Sequence, residues 1–256
     1  MRWDPAQYVR FADERARPFH ELLARVGAEE PRRVVDLGCG PGTLTAALAR
    51  RWPTADVVGI DSSPEMIGEA NALAGERLSF TLGRVEEWHP GVRPDVVISN
   101  AALQWVPRHR ELLRDWARAL RPDGWLAFQV PANFGAPSHV LMRELAESGR
   151  WRSRLDGVLR HEDAVATPEQ YAALLLDAGL AADVWQTSYL HVLPGEDPVL
   201  EWVRGTGLRP VLQALAPDEA REFEVEYARL LRQAYPPRAG VTLFAFARTF
   251  AVAHRP

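Results

Sequence analysis

The sequence predicts an α/β fold: a mostly parallel, seven-stranded sheet with helices on both faces. Three observations predict it. Short apolar runs alternate with segments of helical period along the first half of the chain. These runs are apolar at odd and even positions alike, so the strands they form are covered on both faces. A glycine-rich turn, LGCGPG, joins the first run to the first helix-period segment.

The elements follow in order. RRVVDLG (32–38) is a buried strand, and TLTAALARR (43–51) a helix with apolar residues near helical spacing. ADVVGID (55–61) is the second strand. SPEMIGEANAL (63–73) is a helix with Pro64 in its first turn, where a missing N–H costs nothing. RLSFTLG (77–83) and PDVVISN (94–100) are strands three and four. HRELLRDWARAL (109–120) is a helix ended by Pro122 and Gly124, and GWLAFQV (124–130) is strand five. The rhythm then changes. PANFGAPSHVLMRELAES reads as a loop and a helix, and the Arg-rich stretch 150–165 gives no clear element. TPEQYAALLLDAGL (167–180) is a capped amphipathic helix, and ADVWQTSYLHVL (182–193) alternates as a strand does. DPVLEWVRGTGLRP (197–210) starts helical and breaks at its glycines. PDEAREFEVEYARLLRQAY (217–235) is the longest clean helix, and VTLFAFARTFAVAHR (241–255) is a long final strand. The expectation is one domain over 1–256. Its cofactor-binding core spans 30–130, and 1–29, 131–165 and 195–240 serve as a helical cap on the substrate side.

Composition narrows the function. The 256 residues carry a net charge of −4, so nothing draws the chain as a whole to nucleic acid or an anionic membrane. Cys39 is the single cysteine, which excludes internal disulfides and fits a reducing compartment. MRWDPAQYVRFADER has no apolar signal core, and no apolar stretch reaches the roughly 18 residues of a membrane span. A cytoplasmic monomer is expected, with no nucleic-acid or membrane partner. All 30 basic residues are arginine. Any anion is therefore held by guanidinium forks, which match carboxylates, or by neutral donors. No His/Cys/Asp cluster has metal-ligand spacing, so no metal is expected.

The glycine turn excludes the commoner nucleotides. Gly38 and Gly40 fit a dinucleotide fingerprint, but its third glycine position is Thr43, and Gly42 makes the pattern G-x-G-x-G. No Gly-Lys-Ser/Thr follows, so it is not a P-loop. Pro41 removes an N–H that would cradle a phosphate, and Asp36 would repel one. S-adenosylmethionine has an ammonium and a sulfonium but no phosphate. Asp36 suits its ammonium, the glycines admit close backbone approach, and Asp61 at the end of strand two suits the ribose hydroxyls. Taken singly, Asp36 or Asp61 is equally readable as a turn or helix cap.

VVDLGCGPG, GIDSSPEMI and DVVISNAALQW resemble the successive motifs of the class I S-adenosylmethionine-dependent methyltransferases, a Rossmann-like fold. Within that superfamily the resemblance is to the branch that methylates trans-aconitate. It runs almost end to end, through WDPAQYVRFADERARPFHELLARV, NAALQWVP, PSHVLMREL, VWQTSYLH, EWVRGTGLRP and LFAFARTFAVA. It implies that Ser62 and Met66 flank ribose and adenine, that Gly83, Arg84 and Val85 lie beside adenine, and that Asn100 and Ala101 meet the methionine end. Arg84 departs from the pattern: many relatives place an acid there, and arginine cannot accept from the adenine amine. Backbone groups, Glu86 or Glu87 are the substitutes.

The implied reaction gives the monomethyl ester of trans-aconitate or a close di- or tricarboxylate. A carboxylate with pKa ~4 is already ionised at neutral pH, so no general base is expected, and NAALQW offers none. Candidates to grip the remaining carboxylates are Arg209, Arg248, His139, Arg143, Tyr189 and His191, with Tyr8, Gln7 and Arg15 near the N-terminus. Each has a bland alternative. Arg248 can face solvent, Arg209 can cap a helix, Tyr189 and His191 can simply pack, and Tyr8 can belong to the core. Two other functions stay open. A base beside an apolar cleft would favour a phenol or amine methyltransferase, and a closed pocket would favour a non-catalytic cofactor-binding protein.

Overall fold

The structure, a computed structural model, describes residues 12–256. Its elements run α1 (Ala12–Ala24), β1 (Arg33–Leu37), α2 (Thr43–Arg51), β2 (Asp56–Asp61), α3 (Pro64–Ala70), β3 (Leu78–Leu82), β4 (Val96–Asn100), α4 (His109–Ala119), β5 (Trp125–Pro131), α5 (Pro137–Ala146), α6 (Gly149–Leu155), α7 (Pro168–Asp177), β6 (Ala181–Pro194), α8 (Pro198–Arg204), α9 (Arg209–Ala214), α10 (Pro217–Ala234) and β7 (Val241–His254).

The seven strands form one sheet in the order β3-β2-β1-β4-β5-β7-β6. The first five pair in parallel, as the doubly apolar runs predict. β7 is antiparallel to β5: Ala132 N donates to Ala247 O near one end, and Arg255 N to Gly124 O at the other. Strand order reverses between β1 and β4: the chain runs outward from β1 to β2 and β3, then returns to place β4 on the other side of β1. Open α/β sheets bind ligands at such a point, outside the carboxyl ends of the strands.

The chain separates into two compact units. The first comprises 1–131, 165–187 and 249–256, and the second 132–164 and 188–248. The first holds the parallel sheet and a core in which Leu37, Val97, Leu126, Phe128 and Leu113 are fully buried. Each such side chain contributes roughly 1.5–3 kcal/mol relative to exposure. Local signals agree with this packing. Ser63 caps α3 by accepting from Met66 N, and Thr167 and Gln170 form a reciprocal capping box on α7.

In the second unit α5 packs on α10. Tyr227 Oη donates to Ser138 O at 2.6 Å, and Ser138 N donates to Tyr235 Oη at 3.0 Å. The Arg-rich stretch that gives no sequence signal forms α6. Trp151 is buried there against Phe223, with ring centroids 5.4 Å apart. Arg150 and Arg154 pair with Glu222 and Glu219 of α10. Exposed pairs of this kind contribute about 0–1 kcal/mol, so Trp151 does most of the anchoring.

Candidate functional site

Gly38, Gly40 and Gly42 all have positive φ, at 83°, 56° and 80°. Their roles differ. A Cβ on Gly38 would lie 2.3 Å from the Ala102 Cβ, and one on Gly42 would lie 2.8 Å from the Phe80 ring. Protein atoms pack against these two. A Cβ on Gly40 would meet nothing within 4 Å among the described residues. Beside Gly40 the turn therefore leaves its backbone open on that side.

Two acids flank this turn. Asp36 on β1 is 2% exposed, and its Oδ2 accepts from Thr45 Oγ1 at 2.7 Å. Burial pushes its carboxyl up to about 7; the Thr45 bond pulls it down and the charge of Asp61 pushes it up. A buried carboxylate of this kind is matched to a cation. Asp61 ends β2. Its Oδ2 accepts from Gly40 N and its Oδ1 from Ser63 N, both at 2.9 Å. Each oxygen keeps a second lone pair for a hydroxyl donor. The N-cap of α3 is Ser63, so Asp61 instead ties the glycine turn to the next one.

The remaining cofactor candidates line the following strand ends. Met66 is buried and Ser62 exposed. Gly83 N donates to Asp61 O at 2.9 Å, and Val85 is buried. Arg84 is exposed and turned to its own neighbours, pairing with Glu86 at 2.9 Å and Glu87 at 3.7 Å. Asn100 at the end of β4 has a buried Oδ1 with no partner among the described residues, an arrangement that costs roughly 1–3 kcal/mol unless a donor meets it. Ala101 has φ 54°, unusual for a residue with a side chain. Its N–H donates to Gln129 O, and its carbonyl accepts from Gln104 Nε2, so the strained turn is held from both sides. An open backbone cradle, two acids and an unpaired buried acceptor fit a cationic nucleoside better than a phosphate.

The second unit contains most of the substrate candidates. His139 on α5 lies beside Phe134, with centroids 5.6 Å apart, and its Nδ1 is 3.2 Å from Ser138 Oγ. Burial, then Arg143 and Arg160, lower its pKa to about 4, so it is neutral at pH 7. Arg160 sits over Phe134 at 5.8 Å, and burial lowers its pKa to about 10, which leaves it charged. Arg143 also borders a cavity of about 270 Å³ shared with Arg152, Glu147 and Asp156, whose mixed signs do not make an anion site.

Tyr189 and His191 share one face of β6, with rings stacked at 6.4 Å. His191 packs on Trp202 at 4.4 Å and on Phe246 at 6.3 Å. Arg248 is 4% exposed, with its guanidinium 4.7 Å over Phe246. It points inward along β7 and not to solvent. Arg209 is half-buried at the start of α9. Tyr8 and Gln7 lie outside the described residues, as does the side chain of Arg15. The sequence reading missed Arg160, hidden in an Arg-rich run, and Asn133, whose neighbours give no periodic signal. Asn133 is 3% exposed, and its Oδ1 accepts from Ala247 N.

Among the described residues, no group of three or more His, Cys, Asp or Glu side chains is placed to hold a metal ion. No described helix is long and apolar enough to cross a membrane.

Comparison with known proteins bears on this site. Residues 8–183 match the family model of a methyltransferase domain. The trans-aconitate 2-methyltransferase of Streptomyces avermitilis is 55% identical over 99% of this chain and 97% of its own. That of Streptomyces coelicolor is 56% identical over 99% and 87%, and that of Mycobacterium tuberculosis 49% over 98% and 96%. Among solved structures, the YcgJ protein of Bacillus subtilis superposes with TM-score 0.60 at 17% identity, over 93% of this chain and 97% of that one. A phosphoethanolamine N-methyltransferase of Haemonchus contortus in complex with S-adenosyl-L-methionine gives TM-score 0.55 at 17% identity, over 94% and 52%. At these identities the two structures speak for the fold.

Proposed function

The chain belongs to the trans-aconitate 2-methyltransferase family of methyltransferase-domain proteins, and from that membership we propose the reaction and the roles of its residues. It is an S-adenosylmethionine-dependent enzyme that methylates a carboxylate of trans-aconitate to give a monomethyl ester. Bound S-adenosylmethionine supplies a methyl group on a positively charged sulfur and departs as the neutral thioether S-adenosylhomocysteine.

On the cofactor side, Asp36 accepts from the ammonium and Asp61 from the ribose hydroxyls, while Gly40 admits the ligand to the backbone. The Asn100 Oδ1 meets a donor at the methionine end. Ser62, Met66, Gly83 and Val85 border the nucleoside, with Gly38 and Gly42 shaping the turn by packing. Arg84 is occupied by Glu86 and Glu87, so adenine is recognised through backbone groups near Val85.

The acid needs orientation and dehydration more than a base, since a carboxylate is ionised at neutral pH. Arg143, Arg209 and Arg248, with His139, Tyr189 and His191, hold its other carboxylates. The observation that carries the substrate class is Arg248. A planar guanidinium held in the interior over an aromatic face presents the kind of forked donor set that matches a carboxylate. The enzyme acts as a cytoplasmic monomer on a small molecule; light scattering of the purified protein tests the monomer.

The experiment is transfer of label from S-adenosylmethionine to a panel of trans-aconitate, cis-aconitate, citrate, isocitrate, phenols and amines. The expected product forms with trans-aconitate and loses its label in mild base, as an ester does and an ether or N-methyl group does not. A base-stable product, or turnover confined to phenols or amines, would reject the reading.

A further inference from the structure

Asn133 follows β5 in the loop Ala132–Ala136, at the carboxyl end of the strand. The loop continues the β5–β7 ladder for one step, since Ala132 N donates to Ala247 O. Asn133 then leaves the ladder, and its side chain takes over: Oδ1 accepts from Ala247 N. This bond fixes the orientation of the amide, because an N–H can face only the oxygen. Nδ2 is thereby turned to the opposite side. It is buried, in a residue 3% exposed, and has no partner among the described residues.

A buried amide donor left unpaired is rare in folded proteins and requires an account. The fold does not need it. An aspartate would serve Ala247 equally well, and so would any residue with an oxygen in that place. What asparagine adds is two N–H groups directed away from the ladder. The next residue, Phe134, carries the His139 ring at 5.6 Å and the Arg160 guanidinium at 5.8 Å. The loop therefore has cationic and donor groups as its neighbours. An acceptor rich in lone pairs is the matching ligand.

We propose that Asn133 is a substrate-binding residue, whose Nδ2 donates to a carboxylate oxygen of the acid that is methylated. The inference rests on the trans-aconitate reading and deepens it. A neutral donor holds an oxygen without the charge of an arginine, and so positions a carboxylate with little loss of its nucleophilic charge.

The test is Asn133→Asp. It keeps an oxygen for Ala247 N and replaces the donor by a negative acceptor, so a structural role alone would leave catalysis unchanged. KM for trans-aconitate should rise at least tenfold at saturating S-adenosylmethionine, with the Kd for S-adenosylmethionine within twofold of wild type. A KM within twofold of wild type would overturn the inference, and an ordered water would then be the partner of Nδ2. Should the variant fail to fold, the wild type decides. The chain has three asparagines, Asn71, Asn100 and Asn133. After 15N-asparagine labelling, trans-aconitate added to the S-adenosylhomocysteine complex should shift the side-chain amide pair that shows an NOE to the Ala247 amide. An unmoved pair overturns the inference. Wild-type inactivity on trans-aconitate would reject the reaction itself before any variant is measured, whereas wild-type turnover beside an unaltered Asn133→Asp rejects this assignment alone.

Discussion

The Thr45 hydroxyl donates to Asp36 Oδ2 at 2.7 Å, inside the turn where burial pushes the Asp36 carboxyl up to about 7. An acid whose folded pKa is raised is stabilised in its protonated form. Its contribution to folding is full below the ordinary value of 3.8 and is lost as pH rises through about 7. The ligand-free protein should therefore lose Tm between about pH 4 and pH 7 from this group. An ammonium beside Asp36 reverses the preference, so S-adenosylmethionine should bind more tightly as pH rises through 7, with release of a proton. Asp36→Asn should flatten the ligand-free Tm profile and weaken cofactor binding at least tenfold. Melting curves and calorimetry in two buffers of different ionisation enthalpy check both effects. Proton-neutral binding would reject the role of Asp36.

Gly38 and Gly40 separate packing from ligand approach. Alanine at Gly38 would place its Cβ 2.3 Å from the Ala102 Cβ at φ 83°, so the backbone itself must shift. Gly38→Ala should lower stability by several kcal/mol, as other overpacked and strained sites do. Alanine at Gly40 meets no described atom within 4 Å and adopts φ 56° at a cost of about 1 kcal/mol. Gly40→Ala should fold and lose cofactor affinity far beyond its loss of stability. Equal losses of both in the two variants would contradict the distinction.

This contrast marks where the sequence stops being legible. D-L-G-C-G-P-G announces three glycines in a turn, and the turn is there. Which glycine faces a ligand depends on Ala102 and Phe80, brought in from other strands. The parallel strands were readable because burial on both faces makes them apolar throughout. The insertion of β7 between β5 and β6 was not, since pairing order leaves no local pattern. Helix α6 was hidden for a related reason: its arginines are answered by glutamates of α10 some 70 residues later. In the candidate site, Arg248 was legible as a residue type but not as a buried one. Strand alternation puts it on the face of Phe244 and Phe246, while solvent exposure of that face is decided by the tertiary fold. Arg160 stands in an Arg-rich run where nothing distinguishes the buried arginine from exposed ones.

His139 should report its arginine neighbours by titration. Its folded pKa is depressed to about 4 by burial and by Arg143 and Arg160. Its contribution to stability is therefore present above the ordinary value of 6.5 and is lost as pH falls toward 4. Arg160→Ala should raise the His139 pKa toward 6.5, and a bound polycarboxylate should do the same in the wild type by adding negative charge. NMR titration of the His139 ring measures both. A pKa unmoved by the substitution would remove Arg160 from the surroundings of His139.

Arg248 gives the sharpest catalytic test, because charge and shape can be varied separately. Arg248→Met keeps a long stem against Phe246 and removes the fork. Arg248→Lys keeps the charge but not the planar, bidentate donor set. If Arg248 grips a carboxylate, the methionine variant loses about 3 kcal/mol of transition-state binding, roughly a hundredfold in kcat/KM for trans-aconitate. The lysine variant should fall between it and wild type. S-adenosylmethionine affinity should be unchanged in both, since every cofactor candidate lies in the first unit and Arg248 in the second. The same series assayed with a monocarboxylate separates a general fold defect from a lost grip. A defect lowers turnover of every acid alike, whereas a lost grip is felt most by the acid with the most carboxylates to hold.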